Sequence, residues 1–157
     1  MKHVYFFTGF PGFIASRLIQ EMVAADPDFE SAYLLALPSF QAKGEQEAEK
    51  LMREMDLPAG SLQVITGDIT KPGLSIDRKI ASEAITHVFH LAAIYDLAVP
   101  KDLAYSVNVT GTKNVNEWVR HLPSIKRYIY FSTAYVAGTR EGTLLETELV
   151  RPPAFKN

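Results

Sequence analysis

Residues 8–16 read "TGFPGFIAS", directly after the apolar run "HVYFFT" (3–8) and ahead of apolar residues at helical spacing. Gly9, Gly12 and Ala15 form G-x-x-G-x-x-A where a strand hands over to a helix. A residue without Cβ lets the chain turn tightly and lets an anion approach the main chain, where the first amides of a helix and its dipole stabilise negative charge. On this reading Gly9 serves the turn, Gly12 the close approach of a pyrophosphate, and Ala15 the tight packing of helix on strand. Pro11 fixes its own φ and removes one amide donor. The plainer reading is a tight turn that binds nothing; its position on the first strand of an alternating chain favours the dinucleotide.

The surrounding sequence supplies that alternation. Four more apolar runs of strand length follow: "AYLLAL" (32–37), "LQVITG" (62–67), "THVFHLA" (86–92) and "RYIYFST" (127–133). Most are apolar on both faces, as parallel strands covered on two sides should be. Between them, Ile14, Leu18 and Met22 repeat every four residues, and Ala48, Leu51, Met52 and Met55 keep helical spacing. Leu103, Val107, Gly111, Val115 and Val119 form a longer stripe, and Ile76, Ile80 and Ala84 a shorter one that predicts a short helix. Strands alternating with helices build a doubly wound α/β domain with a parallel sheet, here one domain over residues 1–157.

Composition narrows the function classes. A chain of 157 residues, 47% hydrophobic, can bury a substantial core. A formal net charge of −2 offers no basic surplus for a phosphate backbone, so nucleic acid is not an expected partner. Without cysteine there is no disulfide framework or thiolate metal site, and His3, His87, His90 and His121 lack metal-ligand spacing. No run approaches the about 18 apolar residues of a membrane span, and no secretory leader is visible. These features fit a reducing cytoplasm.

Five ordered motifs now add up. "TGFPGFIA", "TGDIT" after the third strand, "VFHLAA" on the fourth, "NVTGT" in the following helix and "YFSTAYVAG" at the end of the fifth together resemble the extended short-chain dehydrogenases/reductases. Within that family, "STAYVAGTREGTLLETEL" is similar to the fatty-acyl and thioester reductases of the male sterility type, more than to the sugar epimerases and dehydratases. The resemblance implies a nicotinamide dinucleotide and a carbonyl or thioester substrate. Thr8, Gly9, Phe10, Pro11, Gly12, Phe13 and Ile14 then form the pyrophosphate turn, Asp68 and Ile69 lie against the adenine, and Leu91, Ala92 and Ala93 border the ribose region. Asn108 orders the active-site end of its helix, and Thr133, or Ser132 one position earlier, hydrogen-bonds the substrate oxygen. Plainer roles stand beside these: Asp68 as a turn cap, Asn108 as a helix-bending residue, and His90 as a strand-end histidine satisfied by backbone.

Two departures matter. The family's acid is the tyrosine of Tyr-x-x-x-Lys, yet none of the seven tyrosines has lysine four positions on. The chain therefore reads as the cofactor-binding, N-terminal piece of a longer enzyme; a noncatalytic nucleotide-binding module is the alternative, and a flavodoxin-like mononucleotide domain a weaker one. A truncated domain should also leave apolar surface beside the stripe from Leu103 to Val119 and the fifth strand, enough to favour a homo-oligomer. The second departure concerns the cofactor: the second strand ends "LLALPSFQAKG", with no acidic residue for the ribose hydroxyls of NAD and with Leu37 where similar reductases carry arginine. Ser39, Gln41 and Lys43 are the groups available to a 2′-phosphate, which favours NADP over NAD; the alternative is that Lys43 only starts the charged face of a helix.

Overall fold

The computed structural model describes residues 2–96, 98–148 and 150–155. Five strands, β1 (His3–Thr8), β2 (Phe29–Ala36), β3 (Leu62–Thr66), β4 (His87–His90) and β5 (Arg127–Tyr130), form one sheet in the order β3-β2-β1-β4-β5. Every pairing is parallel. The helices are α1 (Phe13–Ala25), α2 (Gln41–Glu54), α3 (Lys101–Tyr105) and α4 (Thr112–Arg120), the last two joined by a π-helical segment, Ser106–Gly111. This is the doubly wound architecture that the alternating pattern predicts.

Strand alternation sends β1 into two cores. Tyr5 and Phe7 pack with Ala15, Ile19 and Val23 of α1 and with Ala48 and Leu51 of α2. Val4 and Phe6 face the opposite way, toward Val115 and Val119 of α4. Neither face of the central strands sees water, so these strands read as apolar runs without alternation. Phe7 stacks on Phe89 of β4 with centroids 4.6 Å apart, and Phe6 meets Trp118 of α4 at 4.4 Å. Trp118 is thus partly buried against the second core.

Three details differ from the sequence pattern. In α1 the buried line is Ala15, Ile19 and Val23, one residue beyond the expected Ile14, Leu18 and Met22; Leu18 and Met22 flank the core, and Ile14 is 61% exposed. The glycine turn sets this phase, because the chain enters the helix with its smallest side chain against β1. The short helix expected over Ile76, Ile80 and Ala84 is absent. Instead, Leu74 adopts a left-handed φ of 60° in a tight turn, and only Ser82–Ala84 makes a single 3-10 turn. The intervening chain lies along the outer edge of β3: Asp77 N–H donates to Thr66 O, Thr66 N–H to Asp77 Oδ1, and Arg78 Nη2 to Val64 O. Ile76 and Ile80 still reach the second core from this irregular backbone. The stripe from Leu103 to Val119 is one helical course interrupted by the π segment, with Leu103 48% exposed and Val115 and Val119 buried.

The opposite sheet edge has a different surface. Tyr130 and Phe131 at the end of β5 and Tyr135 and Val136 just beyond it are exposed, as are Leu103, Tyr105 and Val109 on the helical course. The apolar surface expected beside the fifth strand is therefore present.

At the N-terminal end of the strands, Asp26 closes α1 onto β1. Its carboxylate accepts from the Tyr5 hydroxyl and the Asp28 N–H, and pairs with His3 Nδ1 at 2.9 Å. Burial alone pushes this carboxyl up, but the hydrogen bonds from Tyr5, His3 and Asp28 outweigh it and hold the group below the ordinary carboxylate value. A carboxyl whose folded value is depressed stabilises the fold fully above its unfolded value and loses that contribution as pH falls through the folded one. Asp26→Asn is therefore expected to cost about 1–3 kcal/mol at pH 6. Urea melts at pH 6 and pH 3 should show a smaller acid loss in the variant than in the wild type.

Candidate functional site: a glycine turn against the fourth strand

The sheet order reverses between β1 and β4, so the loops leaving these two strands diverge to opposite faces and open a crevice at the strands' C-terminal ends. The glycine turn leaves β1 there. Gly9 has φ +83°, open to glycine at no cost, and its carbonyl accepts from Gly12 N–H at 2.8 Å. A Cβ on Gly9 would stand 2.8 Å from Ala92 N and 3.0 Å from the Leu91 carbonyl carbon. Gly9 thus serves the turn and also the close approach of two backbones, β1 to β4. A Cβ on Gly12 would stand 2.7 Å from Gly9 O, inside the turn itself.

Gly12 is also the N-cap of α1, and no side chain caps the helix there or places an acid in its first turn. The amides of the first turn remain available to an outside acceptor, in line with the helix dipole. Phe13 and Ile14 are 80% and 61% exposed around this end, whereas Phe10 is buried against Gly44 of α2. Of the residues expected to line a pyrophosphate, Phe10 therefore contributes main chain only, its ring anchoring the turn to the core. Pro11 follows a cis Phe10–Pro11 peptide. This turn, with glycine at 9 and 12 and the Phe10 ring turned into the core, leaves uncapped amides that fit a diphosphate.

The floor of the crevice is equally constrained. Thr8 is fully buried, and its Oγ1 accepts from Leu91 N–H at 3.1 Å and Ala92 N–H at 3.0 Å. The same hydroxyl lies 2.8 Å from His90 Nδ1, and His90 Nε2 lies 3.1 Å from Thr112 Oγ1. His90 is therefore satisfied by two side-chain hydroxyls, where the sequence suggested backbone. Burial pushes its imidazole down to about 4, so the ring is neutral at pH 7. Tyr130 stacks on it at 5.3 Å. Further along, the amide of Asn108 grips Ile94 twice, accepting from its N–H at 2.8 Å and donating to its carbonyl at 2.7 Å. Asn108 lies in the π-helical segment, and its role is to hold the loop after β4. Ala93, Ile94, Tyr95 and Asp96 border an open depression of about 690 Å³ beside it.

The remaining expected residues are spread more widely. Asp68 caps a turn with one carboxylate oxygen, Oδ1, which accepts from Thr70 N–H at 2.8 Å and from the Thr70 hydroxyl at 2.7 Å. Ile69 is buried and fills the space beside Gly111, where a Cβ would meet its Cδ1 at 2.7 Å, so any adenine contact there is through its backbone. Ser39 and Lys43 are exposed after β2, on the 3-10 turn Pro38–Phe40 and on α2. Ser132 and Thr133 follow β5 at the same end of the sheet, both exposed, and Thr133 Oγ1 accepts from Tyr135 N–H at 3.2 Å. That contact leaves the Thr133 proton free to donate. Thr112 was not singled out by sequence reading, although it is the last residue of the quoted "NVTGT".

The two glycines should respond differently to alanine. Gly9→Ala forces both a strained φ, about 1–3 kcal/mol, and a backbone collision with β4. Gly12, at φ −73°, suffers only the contact with Gly9 O. Thermal or urea unfolding is expected to show the larger loss for Gly9→Ala.

Comparison with known proteins agrees with this geometry. A family model described as "Male sterility protein" matches residues 7–153. The chloroplastic fatty acyl-CoA reductase 2 of Arabidopsis thaliana is 26% identical over 90% of this chain. The chain spans 26% of that enzyme's length and no more than about a third of the curated relatives it matches. Among solved structures, the terminal R domain of the myxalamid PKS-NRPS pathway superposes with a TM-score of 0.74 at 24% identity, covering 94% of this chain and 39% of that one. Gre2 of Candida albicans, solved with NADPH, gives 0.63 at 18% identity, covering 85% and 37%. No helix among the described residues is long and apolar enough to cross a membrane. With a family match running from β1 through the loop after β5, and the glycine turn seated against β4, this chain belongs to the male sterility protein family.

Proposed function

We propose that the chain is the cofactor-binding part of an NADPH-dependent reductase acting on an acyl thioester, of which a long-chain acyl-CoA is the representative substrate. The observation that carries this reading is the turn at residues 9–12, glycine at both ends and over uncapped helix amides, within a chain of this family. The named activity of the Arabidopsis relative supports the substrate class, and the NADPH held by Gre2 supports the cofactor.

In this reading Gly9, Gly12 and the first amides of α1 hold the diphosphate, and Ala92 and Ala93 border the ribose next to it. Asp68 and Ile69 approach the adenine through their turn and backbone. Beyond β2, Leu37 stands where an acid would select NAD, while Ser39 and the Lys43 ammonium lie nearby to take a 2′-phosphate. When bound, the nicotinamide supplies a hydride to the thioester carbon. Negative charge then grows on the substrate oxygen, and the free proton of Thr133, with Ser132 beside it, stabilises that charge by donation. Asn108 keeps the loop after β4 in place during this step.

Titration with NADPH and NADH, followed by ligand fluorescence, tests the proposal. Saturable binding with NADPH at least about threefold tighter is expected, and Lys43→Ala should erase that margin, since one exposed charge contact is worth up to about 1 kcal/mol. Gly12→Val should abolish binding while the far-UV spectrum stays that of the wild type. Absence of saturable binding to folded protein would contradict the cofactor reading. NADPH binding without any turnover of acyl-CoA by the parent protein would favour the noncatalytic alternative.

A further inference from the structure

The buried contact among Thr8, His90 and Thr112 has a direction that hydrogen-bond counting fixes. A threonine hydroxyl has two acceptor sites and one proton. Leu91 N–H and Ala92 N–H occupy both acceptor sites of Thr8 Oγ1. The third contact, to His90 Nδ1 at 2.8 Å, must therefore be the one to which Thr8 donates. His90 Nδ1 is then an acceptor, so the neutral ring carries its proton on Nε2 and donates it to Thr112 Oγ1 at 3.1 Å. A ring with the proton on Nδ1 would set two hydrogens against each other and leave Nε2 facing Thr112 as an acceptor.

This chain crosses the molecule at the level of the crevice. Thr8 ends β1, His90 ends β4, and Thr112 begins α4 directly after the π segment that holds Asn108. Residues 91 and 92 hang from Thr8, and residue 94 hangs from Asn108. One end of the segment flooring the crevice is thus tied to β1 and the other to the π segment, and Gly9 leaves no slack because even a Cβ there would collide with that segment.

We propose that Thr8, His90 and Thr112 form a directional hydroxyl–imidazole–hydroxyl chain that fixes residues 91–93 against the glycine turn, making Thr112 a positioning residue for dinucleotide binding. The chain's polarity stands on the geometry alone, and its effect on binding rests on the cofactor proposed above. Thr112 makes its contribution through His90.

The test pairs a spectroscopic readout on the ligand-free protein with NADPH titration. Assigned 15N histidine spectra at pH 7 should show His90 as the Nε2–H tautomer, with Nδ1 unprotonated. Thr112→Val, which keeps the shape and deletes the acceptor, should leave the tautomer that Thr8 sets, shift the His90 Nε2 resonance by removing its acceptor and weaken NADPH binding about fivefold or more, whereas Thr112→Ser should restore both the resonance and the affinity. A wild-type His90 protonated on Nδ1 overturns the polarity. Wild-type affinity in a folded Thr112→Val overturns the positioning role. If the wild-type protein fails to bind NADPH, the cofactor reading falls separately, and the tautomer alone still supports or overturns the directional chain.

Discussion

Everything at the functional end of this molecule depends on one backbone contact, that of Gly9 with residues 91 and 92. Two parallel strands that part to opposite faces of a sheet leave a crevice, but its width is set by what separates their ends. Here almost nothing does: Gly9 has no side chain, and the Thr8 hydroxyl bridges to the first two amides beyond β4. The turn and the crevice floor are held as one unit. In the function proposed above, a diphosphate on α1 would then sit at a fixed height above that floor.

That constraint also explains the division of labour among neighbouring residues. Phe10 points inward and packs on Gly44, which keeps its ring off the outward surface of the turn. Ala15 is small because α1 must descend close to β1 immediately after the turn, and this choice rotates the whole buried face of the helix. Asn108 reaches Ile94 from a stretch of helix wound to the wider π spacing. Such local widening re-aims a side chain without breaking the helix, which is why it recurs at functional sites.

Much of this was legible in the sequence, for physical reasons. The central strands, buried on both faces, announce themselves as apolar runs, and the glycine turn is specific because few residues can stand at φ +83° against another backbone. The family motifs carried Asn108 and the loop after β4. Other features left no readable trace. Ile76 and Ile80 are apolar because they reach the core, but the chain beneath them is spent on pairing with the edge of β3, and spacing alone does not distinguish that from a helix. The π segment preserves the apolar stripe while changing its pitch. For Asp68 the sequence offered both a ligand and a turn cap, and one of its carboxylate oxygens accepts twice from Thr70. The partners of His90 were hidden because Thr8 and Thr112 are 104 positions apart in sequence and meet only when β1, β4 and α4 assemble.

In the proposed function, the turn at residues 9–12 and the segment after β4 are two walls of one dinucleotide site. Mapping backbone amide shifts as NADPH is added to the 15N-labelled protein addresses it most directly. The largest changes are expected together at Gly9, Gly12, Phe13, Ala92 and Ala93, with the same concentration dependence. Saturable shifts confined to other surfaces, with these five amides unmoved, would contradict it.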